Sequence, residues 1–218
     1  MTGAATWRTK RLWWAAIISL SGLLLWLIFC WQPAGPPAAS ANAHQSPPAI
    51  EAVEPIKLPA GGDFTLQSPS GPVSLADFRG RVVLIYFGYT FCPDVCPTAL
   101  ALLGQALGEL TAAELKQVQA LFITLDPERD SLAVMNVYAP HFHPTLLGLN
   151  GSPAQVAQVA RQYGVRYMKQ QPNADGQYAV DHSSFTYLVA GDGKLAAALP
   201  HATSAQQIVA MIRAQLRQ

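Results

Sequence analysis

The sequence is short of cysteine and short of charge, and each shortage closes off a class of protein. Three cysteines in 218 residues are too few for the disulfide framework by which small secreted domains make up for a thin core. Charged residues are 12% of the chain and the formal net charge is +1, which leaves no basic face for nucleic acid and no acidic tail. No internal repeat is visible. What remains is a chain that is half apolar, long enough for one anchored domain of ordinary size. Its partners must be chosen by a site rather than by overall charge.

Charge is missing altogether from Leu12 to Trp31, a run of about 20 residues that suffices to cross hydrocarbon as a helix. Arg8, Lys10 and Arg11 precede it, and the next basic side chain after it is Lys57. The positive-inside bias therefore puts the N-terminus in the cytoplasm and exports everything after Trp31. Trp13, Trp14 and Trp31 stand at the two ends of the run, where amphipathic rings favour the interface. A cleaved signal peptide is the competing reading, because Ala39-Ser40-Ala41 and Ala41-Asn42-Ala43 resemble cleavage sites. The apolar run is too long for such a peptide and those sites lie far beyond its end, which favours retention as an anchor. Cys30 reads as an inert thiol in that apolar run. Pro33, Pro36, Pro37, Pro47 and Pro48 among Ala, Gly and Ser predict an extended tether. The expected layout is residues 1–11 in the cytoplasm, 12–31 as the span, 32–55 as the tether and 56–218 as the exported domain.

In that domain, Arg81 to Gly88 is a β-branched and aromatic run, the pattern of a strand buried on both faces and expected to be central. Pro97 to Leu110 brings Leu100, Leu103, Leu107 and Leu110 to one side of a helix. Val118–Leu125 reads as a second buried strand, Ser131–Tyr138 as a short helix and Leu146–Leu149 as a third strand. Ser152, Pro153 and Gly164 supply an N-cap, a first-turn proline and a C-terminal glycine for another helix. Tyr178–Val180 is read as extended. Phe185–Val189 and Lys194–Leu199 flank Gly191-Asp192-Gly193 as a hairpin, and a helix from Ser204 to Leu216 closes the chain. This is an α/β, thioredoxin-like sandwich with a C-terminal β-hairpin and helix.

Between the first buried strand and its helix lies Cys92-Pro93-Asp94-Val95-Cys96. The start of a helix favours a thiolate, which both binds soft metals and attacks disulfides. Were the segment helical, the i, i+4 spacing would set both sulfurs on one face of the first turn. Three intervening residues instead of two depart from the usual thioredoxin redox spacing. Buried hydrophobes or a plain disulfide is the blander reading of the pair. Taken alone, His182 reads as a surface or structural histidine, and Asp181 as a poor partner for it, because neighbours in an extended segment point apart. Asp126-Pro127-Glu128-Arg129-Asp130 reads as a turn that caps the next helix and pairs with Arg129. His141 and His143 sit between Pro140 and Pro144 and read as loop residues exposed to solvent. Met168 reads as a packing residue.

Three blocks resemble the Sco/SenC family of copper chaperones for cytochrome c oxidase assembly: Gly88 to Pro97 around the cysteines, Asp126 to Asp130, and Asp181-His182-Ser183 before a strand ending Tyr187-Leu188-Val189. The resemblance covers the chain from about Asp63 to its end. It implies copper, Cu(I) and/or Cu(II), held by Cys92, Cys96 and His182, with Cys92 and Cys96 also a redox-active pair, and it gives Asp126 and Asp130 an outer role near the metal or in docking. Two thiolates suit Cu(I), and an added imidazole helps retain Cu(II); zinc accepts the same donors, normally with a fourth. The implied protein is a metallochaperone rather than an enzyme, held in the inner membrane by a single span with its domain in the periplasm. It would deliver copper to the copper-site subunit of cytochrome c oxidase and exchange with another copper carrier or a thiol reductant. The alternative is a thiol–disulfide oxidoreductase that reduces the cysteines of that same copper site.

Overall fold

A computed structural model describes residues 58–218 together with Leu23, Leu25 and Trp26. The chain divides into two compact units, Met1–Glu54 and Pro55–Gln218. In the first, Leu23, Leu25 and Trp26 are helical and exposed; the expected span and tether otherwise lie outside the described residues. Among the described residues no helix is long and apolar enough to cross a membrane.

The second unit is a mixed α/β, thioredoxin-like sandwich. It opens with a hairpin of β1 (Thr65–Ser68) and β2 (Gly71–Ser74) and a single 3-10 turn at Leu75–Phe78. The centre is β3 (Val82–Gly88), all seven residues of which are buried, as its β-branched and aromatic composition requires. It is followed by α1 (Val95–Gly108), α2 (Ala112–Leu115), β4 (Val118–Thr124), α3 (Leu132–Phe142), β5 (Leu146–Leu149) and α4 (Pro153–Gln162). Then come β6 (Tyr167–Lys169), β7 (Val180–His182), β8 (Thr186–Val189), β9 (Leu195–Leu199) and α5 (Ala205–Leu216).

The main sheet has the order β5-β4-β3-β8-β9, parallel from β5 to β3 and antiparallel from β3 to β9. Alternation along β3 sends Tyr86 to one face, where it stacks on Phe122, and Phe87 to the other, against Tyr163 and Tyr187. On the Tyr86 face α1 lies against α5 and α3. Gly104 is what lets α1 approach, since a methyl group there would run into the Phe142 carbonyl.

Helix ends follow the side chains that cap them, Ser152 as expected. Ser152 and Ser204 accept from the amides of Gln155 and Gln207, whose side chains reach back in capping boxes. Three expectations are corrected. Helix α3 runs on through Pro140, so His141 is helical, not in a loop; a proline in the last turn forfeits only one bond, to the carbonyl four residues back. Its N-cap is Ser131, not an aspartate of the preceding turn. The third is Met168, which lies in a small two-stranded sheet, β6 with β7, where Tyr167 pairs with His182 and Met168 with Asp181. Met168 does not pack: it is 61% exposed.

Candidate metal centre

The carboxyl ends of β3 and β4 lie side by side, with Gly88 opposite Thr124, and the cysteine loop leaves from that edge. Cys92 is not helical, as the idealised i, i+4 picture assumed. It precedes Pro93, whose ring disfavours the α region in the residue before it, and α1 begins only at Val95. Cys96 is the second residue of the helix and fully buried; Cys92 is half-buried. The pair still meets, because the Cys96 N–H, one of the free amides of the first turn, donates to Cys92 Sγ at 3.4 Å. The sulfur thus does the capping that Asp94, at the N-cap position, does not.

His182 comes from β7, far along the chain, yet its Nε2 stands 3.3 Å from Cys96 Sγ. Its Nδ1 is 3.1 Å from the Ser183 carbonyl, which can only accept, so the ring proton sits on Nδ1 and Nε2 presents its lone pair to the sulfur. The ring is held edge-on between Tyr86 and Tyr89, with centroids 6.3 and 6.2 Å away. Asp181 does not touch it and instead accepts from Gln170.

The two thiols differ. Burial pushes Cys96 up to about 12. Burial also raises Cys92, but the amides of Cys96 and Asp94 more than offset it and leave Cys92 below its ordinary value. Burial holds the His182 ring below its usual pKa despite the Ser183 carbonyl and Asp181, so it is neutral near pH 7. The accessible Cys92 sulfur, the buried Cys96 thiol and the neutral imidazole are two soft donors and one borderline donor, a set suited to a soft or borderline cation. Among the described residues no three His, Cys, Asp or Glu side chains form a ready-made metal cluster; Cys96 and His182 already meet, while the Cys92 sulfur is engaged by the helix amide. A cavity of about 430 Å³ lined by Cys92, Val180, His182 and Ser184 opens beside them.

A buried network joins the cysteine loop to the strand that carries His182. The Asp126 side chain is 0% exposed. It accepts from Arg129 Nε, from Lys169 Nζ at 3.0 Å and from the Tyr178 hydroxyl at 3.0 Å. Arg129 donates to the Tyr178 carbonyl at 2.8 Å, lies 3.7 Å from that ring's centroid and 5.2 Å from that of Phe91, next to Cys92. Asp130 accepts from the Thr90 amide and hydroxyl and from the Thr124 hydroxyl, fixing the start of the loop. Sequence reasoning expected the Asp126–Arg129 pair but missed Lys169, Tyr178, Tyr86 and Tyr89; none carries a local signal. His141 and His143 line no part of the cavity.

Gly88 is the point of closest approach. A Cβ there would sit 2.8 Å from Cys96 Sγ and 3.1 Å from both Phe122 and Tyr86. Gly88→Ala is expected to destabilise the domain by about 1–3 kcal/mol, read from denaturant melts. A midpoint equal to that of the parent would mean that the glycine is not needed to seat Cys96.

The SCO1/SenC family model matches residues 54–217. Protein SCO2 homolog, mitochondrial, from Bos taurus is 49% identical over 154 residues, which are 70% of this chain and 58% of the bovine protein; the chain thus spans under two thirds of that relative's length. The solution structure of apo Sco1 from Thermus thermophilus superposes with a TM-score of 0.66 at 42% identity, covering 72% of this chain and 91% of that one. Bradyrhizobium japonicum ScoI, solved with copper bound, gives a TM-score of 0.66 at 37% identity over 72% of this chain and 99% of its own.

Proposed function

The chain belongs to the SCO1/SenC family, and on that premise we propose that it is a copper metallochaperone using Cys92, Cys96 and His182 as ligands. It is anchored by the apolar run 12–31, with its domain in the periplasm, and delivers copper to the exported copper site of cytochrome c oxidase. The observation that carries this reading is the approach of an unprotonated Nε2 to a buried cysteine sulfur at 3.3 Å, from segments 86 residues apart. Disulfide exchange needs no such imidazole. The copper-bound relative supports the choice of cargo.

The three donors divide the work. The two sulfurs hold Cu(I), the imidazole strengthens the hold on Cu(II), and the half-exposed Cys92 is the sulfur from which an incoming ligand can take the ion by shared coordination. Neither Asp126 nor Asp130 is a ligand: both are committed to hydrogen bonds that hold the loops.

The second reading, a reductase of the client's cysteines, is favoured by the pairing of a depressed, accessible Cys92 with a buried Cys96, the division of labour that disulfide exchange uses. His182→Ala separates the two. In a strain lacking the parent protein, the variant is expected not to restore oxidase activity; full restoration would favour the reductase and remove the chaperone reading.

A further inference from the structure

Tyr86 is 1% exposed, yet its hydroxyl has no hydrogen-bond partner. A buried phenol without a partner is a costly arrangement that proteins rarely keep without a use. Its surroundings point to one. The ring meets His182 edge-on at 6.3 Å. Its Cε1 and the Cys96 sulfur lie 3.1 and 2.8 Å from the point that a Cβ on Gly88 would occupy, so phenol and sulfur share one small space. The hydroxyl lies within interaction reach of Cys96 and Ser184 but makes a hydrogen bond of normal geometry with neither.

The engagement of Cys96 explains the missing bond: its sulfur already stands 3.3 Å from His182 Nε2. A neutral thiol facing the bare Nε2 of His182 donates to that nitrogen, and its sulfur is then a weak acceptor. A soft cation that takes the place of the thiol proton between sulfur and nitrogen leaves a thiolate, which is a strong, charge-assisted acceptor. The phenol already stands beside it.

We propose that the Tyr86 hydroxyl donates a hydrogen bond to the copper-bound Cys96 thiolate and thereby shifts the balance of the site towards Cu(I). Cu(I) draws less electron density from sulfur than Cu(II) does, so the sulfur is the better acceptor in the reduced state and the bond favours that state. Tyr86 is a positioning residue, acting on copper only through Cys96. The inference rests on copper being held by Cys92, Cys96 and His182.

The test is Tyr86→Phe in the full chain, which deletes the hydroxyl and keeps the ring. The ratio of Cu(I) to Cu(II) affinity, from competition titrations, is expected to fall about tenfold, part of the strength of a hydrogen bond to a charged group. The sulfur-to-Cu(II) charge-transfer band is expected to move to lower energy. The metal-free variant should melt at or above the parent's temperature, because the deleted group was unpaired, and so a folding defect cannot mimic the result. Tyr138→Phe is the control: its hydroxyl is also buried and unpaired, but its ring packs on Phe122 and Phe142. A band and ratio unchanged in Tyr86→Phe, or changed equally in Tyr138→Phe, overturn the proposal. A parent protein that binds no copper overturns the copper assignment instead.

Discussion

Cys96→Ala is expected to weaken Cu(I) binding by about a hundred- to a thousandfold. A four-ligand structural metal site contributes about 10–16 kcal/mol, or roughly 2.5–4 kcal/mol per ligand, and each 1.4 kcal/mol is about tenfold. Cys92→Ala should lose a similar amount. His182→Ala should spare Cu(I) more than Cu(II), because the imidazole adds to two soft sulfurs that already satisfy the reduced ion. Competition titration of each variant with both oxidation states reads the pattern. A variant with unchanged affinity for both states removes that residue from the site.

Asp126→Ala has the largest expected effect on stability. It strips a fully buried carboxylate from Arg129, Lys169 and Tyr178, and breaking a buried pair by deleting one partner costs about 3–5 kcal/mol. Both cations retain some exposure, so the lower end, about 3 kcal/mol, is expected from denaturant melts. Acid titration supplies an independent sign. Burial raises Asp126, but Arg129, Lys169 and Tyr178 outweigh it and hold the carboxyl below its usual value. The unfolded chain therefore binds this proton first as pH falls. The contribution is complete above the unfolded carboxyl value of about 3.9 and is lost as pH drops through the lower folded value. Asp126→Ala should flatten that part of the stability curve; a variant with the parent's acid limb and midpoint would show that the network carries little. Since Lys169 and Tyr178 belong to the segment that returns through β7 to His182, the same variant should loosen the imidazole more than the sulfurs.

The parts of this molecule that were legible in the sequence are those whose cause is local. The apolar run of β3 fixed its place at the centre of the sheet. Ser152 and Ser204 marked two helix starts because capping needs only residues within the first turn. Gly191-Asp192-Gly193 marked the hairpin of β8 and β9. By contrast, β6 is three residues without alternation, and it is a strand only because β7 returns to pair with it. Helix α1 begins at Val95, two residues before the expected Pro97, and the conditional picture of a helical Cys92–Cys96 segment fails at Cys92, because Pro93 disfavours the helical region in the residue before it.

The site divides the same way. Cys92 and Cys96 announce themselves by separation, whereas His182 looks ordinary until the fold carries it to Cys96. Lys169, Tyr178 and Tyr86 act across the chain, where spacing holds no information. Their roles come from where the strand ends meet, not from which residues precede or follow them.

The most direct measurement of the central claim is copper X-ray absorption on the reduced, copper-loaded protein. The account predicts a first shell of two sulfurs, from Cys92 and Cys96, and one nitrogen, with the outer scattering of an imidazole that disappears in His182→Ala. A shell of oxygen and nitrogen alone, or an imidazole signature that survives that substitution, would contradict it.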